Sequence, residues 1–248
     1  MISPKLLKKF FYQSIALLII LLVGLYFACS VIPTIKANFG FNEEVSIRDD
    51  VSLPKVLMAK ACDKNEENCL DNVILFAGIF DQGTENSASR LLEKLNQADK
   101  FSHNVCFWSP GGSIDSAVRI GNWIKSNNLN TCLAEKYIIE GRGTLSGTHC
   151  NSACPFVFLM GDTRTRLGDD LKLVVHHSGG KIDLCFACWK FNSLNSTAYD
   201  DYSEMLLSSE HIDKEQHIEL LKYSLKTHFS DGKALTKDDW RSYSIFTN

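Results

Sequence analysis

The stretch at residues 150–180, CNSACPFVFLMGDTRTRLGDDLKLVVHHSGG, decides how the rest of the chain is interpreted. It places a turn of small residues carrying Ser152 before an apolar run, and then a short apolar strand that ends in His176 and His177. A serine hydroxyl is a poor nucleophile at neutral pH until an imidazole takes its proton. The stretch therefore predicts a nucleophile and its base, presented at the ends of regular elements.

The N-terminus predicts a membrane anchor. Residues 15–32 form an apolar run without charge, long enough at about 1.5 Å per residue to cross a bilayer core. Lysines precede this run and carboxylates follow it, so the basic flank is expected to stay cytoplasmic while the remainder is exported. The run is longer than a signal-peptide core and lacks a small-x-small cleavage site, which favours an uncleaved anchor over a signal peptide.

These features divide the chain into four parts. Residues 1–14 are predicted to be cytoplasmic, 15–32 to span the inner membrane, 33–50 to form a tether, and 51–248 to form one exported domain. The domain is thus placed in the periplasm or another extracytoplasmic space. A formal net charge of −3 and the lack of a basic stripe argue against a nucleic-acid partner.

Cysteine usage supports export. Eight of the nine cysteines follow the predicted anchor, and an even number in an oxidising compartment favours disulfides. Proximity suggests Cys62 with Cys69 and Cys150 with Cys154, and Cys106 and Cys132 fall in strands that can be neighbours. The alternative is a four-thiolate zinc site built from CNSAC and CFAC, the latter at residues 185–188. Because an exported chain normally oxidises such pairs, we predict neither a metal nor a cofactor.

Strand and helix patterns alternate along the domain. Strands are predicted at residues 72–80, 104–108, 129–133 and 171–177; helices are predicted at 87–100, at 113–126 and after Ser152. Residues 141–147 are predicted to be a glycine-rich loop, and the chain from 211 onward to be mostly helical. This alternation indicates an α/β fold built from parallel βαβ units.

A glycine pair marks a second candidate element of the site. SPGG at residues 109–112 lies between a predicted strand and a predicted helix, where glycines present bare backbone N–H groups. Such groups stabilise a developing oxyanion, although many turns of this composition carry no chemistry.

Together, SPGGSID, CNSAC and VVHH resemble the Clp protease and crotonase superfamily, and most closely its membrane-anchored Clp-like serine peptidases. The resemblance covers roughly residues 72–180 and implies a spiral of ββα units. It also implies that Ser152 is the nucleophile and that the backbone N–H groups of Gly112 and Ala153 hold the oxyanion. By the same resemblance His176 is the base, with His177 as the alternative, because residues 173–176 match the apolar strand that leads into the family's histidine.

The acid is where the chain departs from this pattern. Asp231 is the nearest carboxylate to the expected position but lies one residue out of register. Either Asp231 orients the histidine, or another acid does, or the site works as a Ser-His dyad.

Three functions follow from these predictions. The first is a membrane-anchored extracytoplasmic serine peptidase that cleaves a peptide or protein substrate and self-associates as its relatives do. The second is an inactive Clp-like scaffold that binds peptides or partner proteins, since a fold alone does not establish activity. The third, an acyl-CoA enzyme of the crotonase type, is disfavoured by export because that cofactor is cytoplasmic.

Overall fold

The computed structural model describes residues 56–97, 103–184, 187–192, 197–210, 213–228 and 231–247. The predicted anchor at 15–32, the tether at 33–50 and Cys185 lie outside these residues. No helix within the described ranges is both long and apolar enough to cross a membrane. By its packing the chain divides into two compact units, one of which includes residues 180–191. The unit that contains all of the candidate site residues is described first.

A seven-stranded mixed sheet forms the centre of the larger unit. In chain order its strands are β1 (Val56–Cys62), β2 (Cys69–Ala77), β3 (Asn104–Trp108), β4 (Asn130–Ala134), β5 (Lys136–Ile139), β6 (Gly143–Ser146) and β8 (Arg164–Leu167). Their spatial order is β6-β5-β1-β2-β3-β4-β8; β2, β3, β4 and β8 run parallel to one another, whereas β1 is antiparallel to β2. The prediction of parallel βαβ units is confirmed for β2, β3 and β4, whereas three further strands intervene in the chain between β4 and β8.

A second sheet of three short strands carries most of the candidate site. It contains β7 (Cys150–Asn151), β9 (Leu173–Val175) and β12 (Lys233–Ala234), in the order β12-β9-β7. The β7 and β9 strands are parallel, and β12 is antiparallel to β9.

Six helices are described beside these sheets. They are α1 (Thr84–Gln97), α2 (Ile114–Ser126), α3 (Cys154–Phe158), α4 (Thr197–Ser208), α5 (Lys214–Lys226) and α6 (Lys237–Ser242). The other compact unit contributes one described hairpin, in which β10 (Gly179–Leu184) pairs with β11 (Ala187–Asn192).

Side chains of the large sheet divide between two hydrophobic clusters. In β3, Val105 and Phe107 belong to the larger cluster, with residues of the helices, while Cys106 and Trp108 belong to the smaller one. This division follows from the alternation of side chains along a strand. An uninterrupted apolar sequence is therefore stable in β3 because both faces are covered.

Three disulfides match the predicted pairs. Cys62 bonds to Cys69, Cys106 to Cys132 and Cys150 to Cys154. Disulfides persist in oxidising compartments, so the domain belongs outside the reducing cytoplasm. The zinc alternative is wrong, because two of its four ligands are joined to each other.

Several predicted boundaries need correction. The predicted loop at 141–147 contains β6, because antiparallel pairing with β5 satisfies its backbone and glycines with positive φ supply its bends. The predicted strand at 72–80 spans Cys69–Ala77 and ends at Gly78, where φ is +111°. The helix after Ser152 covers only Cys154–Phe158, and the strand at 171–177 only Leu173–Val175.

Candidate active site

Ser152 occupies a sharp turn between β7 and α3. Its φ is +61°, in the left-handed region that non-glycine residues rarely adopt. Its backbone N–H donates to the carbonyl of Val174 over 2.8 Å, which ties the turn to the neighbouring strand β9. Ser152 is partly exposed, whereas Cys150, Asn151, Ala153 and Cys154 around it are buried. The turn therefore presents one hydroxyl from an otherwise buried segment.

The SPGG loop lies directly against this turn. Ser109 N–H donates to His149 O over 2.5 Å, and Asn151 N–H donates to Ser109 O over 3.0 Å. At Gly111, where φ is +96°, a methyl group would lie 2.6 Å from Asn151 O and 2.7 Å from Ser152 Cβ. Only glycine fits here, because both the backbone angle and the approach to Ser152 exclude a side chain.

Gly112 is held in place by Phe80. Phe80 N–H donates to Gly111 O over 2.8 Å, and Ser113 N–H donates to Phe80 O over 3.1 Å. A methyl group on Gly112, where φ is +153°, would lie 2.3 Å from Phe80 O. Within the described ranges, the N–H groups of Gly112 and Ala153 donate no hydrogen bond. Their role as oxyanion donors stays a prediction.

His176 and His177 follow the last residue of β9. Leu173 and Val175 belong to the larger hydrophobic cluster, whereas Val174 does not, so alternation places His176 with Val174 on the opposite face. His176 is 9% exposed, and its Nδ1 lies 2.7 Å from His177 O. Since a carbonyl only accepts, Nδ1 carries the proton, and neutral His176 keeps the lone pair on Nε2. That is the tautomer of a general base.

Helix α5 fixes the backbone of the two histidines. The Ser224 hydroxyl donates to His176 O over 2.9 Å, and His177 N–H donates to Thr227 O over 2.8 Å. His177 Nδ1 lies 2.6 Å from Ser178 O, so its ring is also oriented by a carbonyl. Both imidazoles are therefore held by the main chain.

Burial lowers the pKa of His176. Loss of hydration disfavours the imidazolium; the hydrogen bond to His177 O acts in the opposite direction, and the charge of His177 lowers the pKa further. The imidazole is consequently neutral at neutral pH.

The lowered pKa of His176 predicts a pH-dependent stability. Below about pH 6.5 the unfolded chain binds this proton more readily than the folded chain, so acidification favours unfolding. Above that pH both states are neutral at this residue and the effect vanishes. We expect His176→Gln to reduce the loss of stability on acidification, by at most about 1.4 kcal/mol per pH unit. Urea denaturation at several pH values measures this, and parallel pH profiles of the two proteins would contradict it.

The serine and the histidines follow neighbouring strands, β7 and β9. Asn151 is in register with Val174, two residues before His176, and Ser152 N–H donates to Val174 O. Across the described residues, the Ser152 hydroxyl has no hydrogen-bond partner. Hydroxyl-to-imidazole contacts of this kind are often long in free enzymes and shorten when substrate binds.

Asp231 is an exposed residue two positions before β12. The next residue, Gly232, faces the site: a methyl group there would lie 3.8 Å from His176 Cδ2 and 2.9 Å from Val174 Cγ1. Lys233 is paired with Val175, so Asp231 comes two residues before the strand that flanks β9, while His176 Nδ1 lies 2.7 Å from His177 O. The role of Asp231 as the acid stays a prediction.

Two features of the site were not predicted as functional. Gly111, rather than Gly112, is the glycine that contacts Ser152. Asn151 is 3% exposed, and its Oδ1 is buried without a hydrogen-bond partner in the described part of the chain. Neither feature could be found from the sequence, because both depend on the left-handed conformation of Ser152 and on the approach of Gly111 to it.

Comparison with known proteins gives a distant likeness in fold. No family model matches the chain, and no curated protein matches it. Among solved structures, a mutant of the membrane-bound stomatin-specific protease 1510-N is similar, with a TM-score of 0.48 and 11% sequence identity. The match covers 70% of this chain and 75% of that one. A likeness this distant says nothing about activity, so the function has to follow from the site.

Proposed function

We propose that the protein is a membrane-anchored extracytoplasmic serine peptidase with Ser152 as its nucleophile. The observation that carries this proposal is the left-handed Ser152 in a strand-to-helix turn, packed against Gly111. Hydrolases use such strained turns to expose a serine hydroxyl beside backbone donors. Strain of this kind persists only where the surrounding structure enforces it.

The chemistry requires one proton carrier and one set of donors. Ser152 Oγ attacks the peptide carbonyl carbon while His176 Nε2 takes the hydroxyl proton. The N–H groups of Gly112 and Ala153 stabilise the oxyanion that forms. The C–N bond then breaks, the leaving amine takes the proton from His176, and water hydrolyses the acyl-enzyme by the same route.

A backbone carbonyl orients the proposed base. In Ser-His-Asp sites a carboxylate fixes the tautomer of the histidine. Here the carbonyl of His177 accepts the Nδ1 proton of His176. Asp231 is retained as the candidate acid, acting on His176 or on the alternative base His177.

We propose for this chain the family and the cellular location that its sequence predicts. The fold is assigned to the Clp protease and crotonase superfamily, as a spiral of ββα units with homo-oligomers expected. Residues 15–32 anchor the chain in the inner membrane with the domain outside the cytoplasm, and the three disulfides support that orientation. A peptide substrate is proposed because backbone N–H donors stabilise the oxyanion that forms from a peptide carbonyl.

Labelling of the full-length protein, in native membranes, with a fluorophosphonate tests the proposal. The probe forms an Oγ–P bond with an activated serine and releases fluoride. We expect labelling to vanish in Ser152→Ala and to slow by roughly 100-fold or more in His176→Gln, since a general base contributes about that factor. Ser126→Ala, on the exposed surface of α2, is the matched control and should label normally.

The histidine variants also distinguish the two candidate bases. If His177→Gln, rather than His176→Gln, loses labelling, the base is His177. Absence of labelling in folded wild-type protein would overturn the proposed activity.

A second candidate function is an inactive Clp-like scaffold. It is favoured by the acid position, since Asp231, the nearest carboxylate, lies one residue out of the expected register. A scaffold would bind peptides at the same surface without reacting with the probe. Peptide binding that is unchanged by Ser152→Ala, together with no labelling, would establish it.

A further inference from the structure

The turn that carries Ser152 is closed by a disulfide. Cys150 and Cys154 stand two residues before and two residues after Ser152, and their bonded sulfurs bring the two Cα atoms to 5.1 Å. In the strand-to-helix turns of other hydrolases, glycines occupy these two positions in the pattern G-x-S-x-G. This chain has C-x-S-x-C, so a covalent bond joins the two residues that flank the nucleophile.

The conformation of Ser152 needs such support. The left-handed region costs an L-residue other than glycine free energy relative to its ordinary conformations. Ser152 N–H to Val174 O and the contact with Gly111 act on the turn from outside. The disulfide acts within it, because the five-residue ring limits the backbone angles open to Asn151, Ser152 and Ala153.

Burial of the disulfide determines when it can form. Cys150 and Cys154 are both 0% exposed, within the larger hydrophobic cluster. Thiol–disulfide exchange requires access to the sulfur, so the bond has to form before the domain closes and is protected afterwards. It therefore fits a single maturation step better than a reversible switch.

We propose that the Cys150–Cys154 disulfide is a positioning element for Ser152, and that the reactivity of Ser152 depends on the oxidation of these two thiols. This inference rests on the proposed function. One thiolate attacks a disulfide of an oxidising protein to form a mixed disulfide, and the second then displaces that protein as a dithiol. The two electrons and two protons lost by the cysteines are gained by the oxidising disulfide.

The consequence is a peptidase that becomes competent only after export. While its thiols are reduced, the turn lacks its covalent closure and Ser152 reverts to other backbone conformations. Reaction requires a nucleophile held close to its attack geometry, and misplacement by about 1 Å costs on the order of 100-fold in rate. The disulfide thereby restricts the activity to the oxidising side of the membrane.

The double variant Cys150→Ala/Cys154→Ala tests this in the full-length protein. The matched control is Cys106→Ala/Cys132→Ala, which removes a disulfide that is equally buried but joins β3 to β4. The first readout is hydrogen exchange of the Ser152 amide relative to the amide of Leu75 in β2, which corrects for global destabilisation. The second is the rate of fluorophosphonate labelling.

We expect the Ser152 amide to exchange at least 10-fold faster, and labelling to be at least 10-fold slower, in Cys150→Ala/Cys154→Ala. The control variant should lower the melting temperature without changing the exchange ratio. An unchanged ratio in Cys150→Ala/Cys154→Ala overturns the positioning role, and a changed ratio with full labelling overturns the dependence on oxidation. If wild-type protein does not label, the proposed function fails, and the exchange ratio still decides the positioning role.

Discussion

Replacing Gly111 with alanine is expected to slow fluorophosphonate labelling of Ser152 by about 100-fold, a loss typical of a reacting group displaced by about 1 Å. The added methyl would lie 2.6 Å from Asn151 O, 2.7 Å from Ser152 Cβ and 2.9 Å from Ala153 N. Two of these atoms are backbone, so the SPGG loop and the turn have to separate. The nucleophile and the proposed oxyanion donor Ala153 then move together.

Gly141→Ala is the matched control for this change. Gly141 has φ +71°, and a methyl group there meets nothing within 4 Å. Both variants therefore carry the backbone penalty of a left-handed alanine, and only Gly111→Ala adds the clash with the serine turn. We expect Gly141→Ala to label at the wild-type rate, with labelling and melting temperature measured on the same preparations. Equal labelling of the two variants would show that the approach of Gly111 to Ser152 does not position the nucleophile.

Three of the parallel strands, β2, β3 and β4, were predictable because each is a largely apolar run covered on both faces. Residues 104–108 illustrate this, since the predicted strand and β3 have the same bounds. β1, VLMAKAC, was missed although it is largely apolar. β5 and β8 were not predicted, because mixed polarity gives short strands little local signal. Long-range partners define them: Tyr137 in β5, for example, donates to Phe107 O and accepts from Ala134 N.

The site was partly predictable for a related reason. CNSAC and VVHH are local patterns, so Ser152 and the histidine pair could be identified from residue type and spacing. The left-handed φ of Ser152 could not, because serine has no special preference for that region and the conformation depends on Gly111, Val174 and the disulfide. The sequence also could not predict that the carbonyl of His177 orients the His176 ring, because every residue type has this carbonyl.

Arg164 carries a buried charge that joins three distant parts of the chain. Its side chain is 1% exposed; Nη2 donates to Asp213 Oδ2 over 3.0 Å and to Ser244 O over 3.1 Å, and Nε donates to Ile245 O over 2.9 Å. Asp213 precedes α5, the helix whose Ser224 holds the backbone of His176. The ion pair thus connects the edge strand β8, the C-terminal segment and the helix behind the candidate base.

Asp213→Ala is expected to lower the free energy of unfolding by about 3 kcal/mol, the lower end of the range for breaking a buried pair. The guanidinium then stays buried with two carbonyls and no counter-charge, and the lower end applies because the Asp213 side chain is 24% exposed. Urea denaturation measures this loss: the m-value should stay unchanged while the urea concentration at the midpoint of unfolding falls. Glu219→Ala, which removes an exposed pair with Lys222 on α5, is the matched control and should change the midpoint little. Because buried charges are poorly screened, the difference between the two variants should persist at 1 M salt. Equal midpoints for Asp213→Ala and Glu219→Ala would mean that carbonyl groups alone compensate the charge of Arg164.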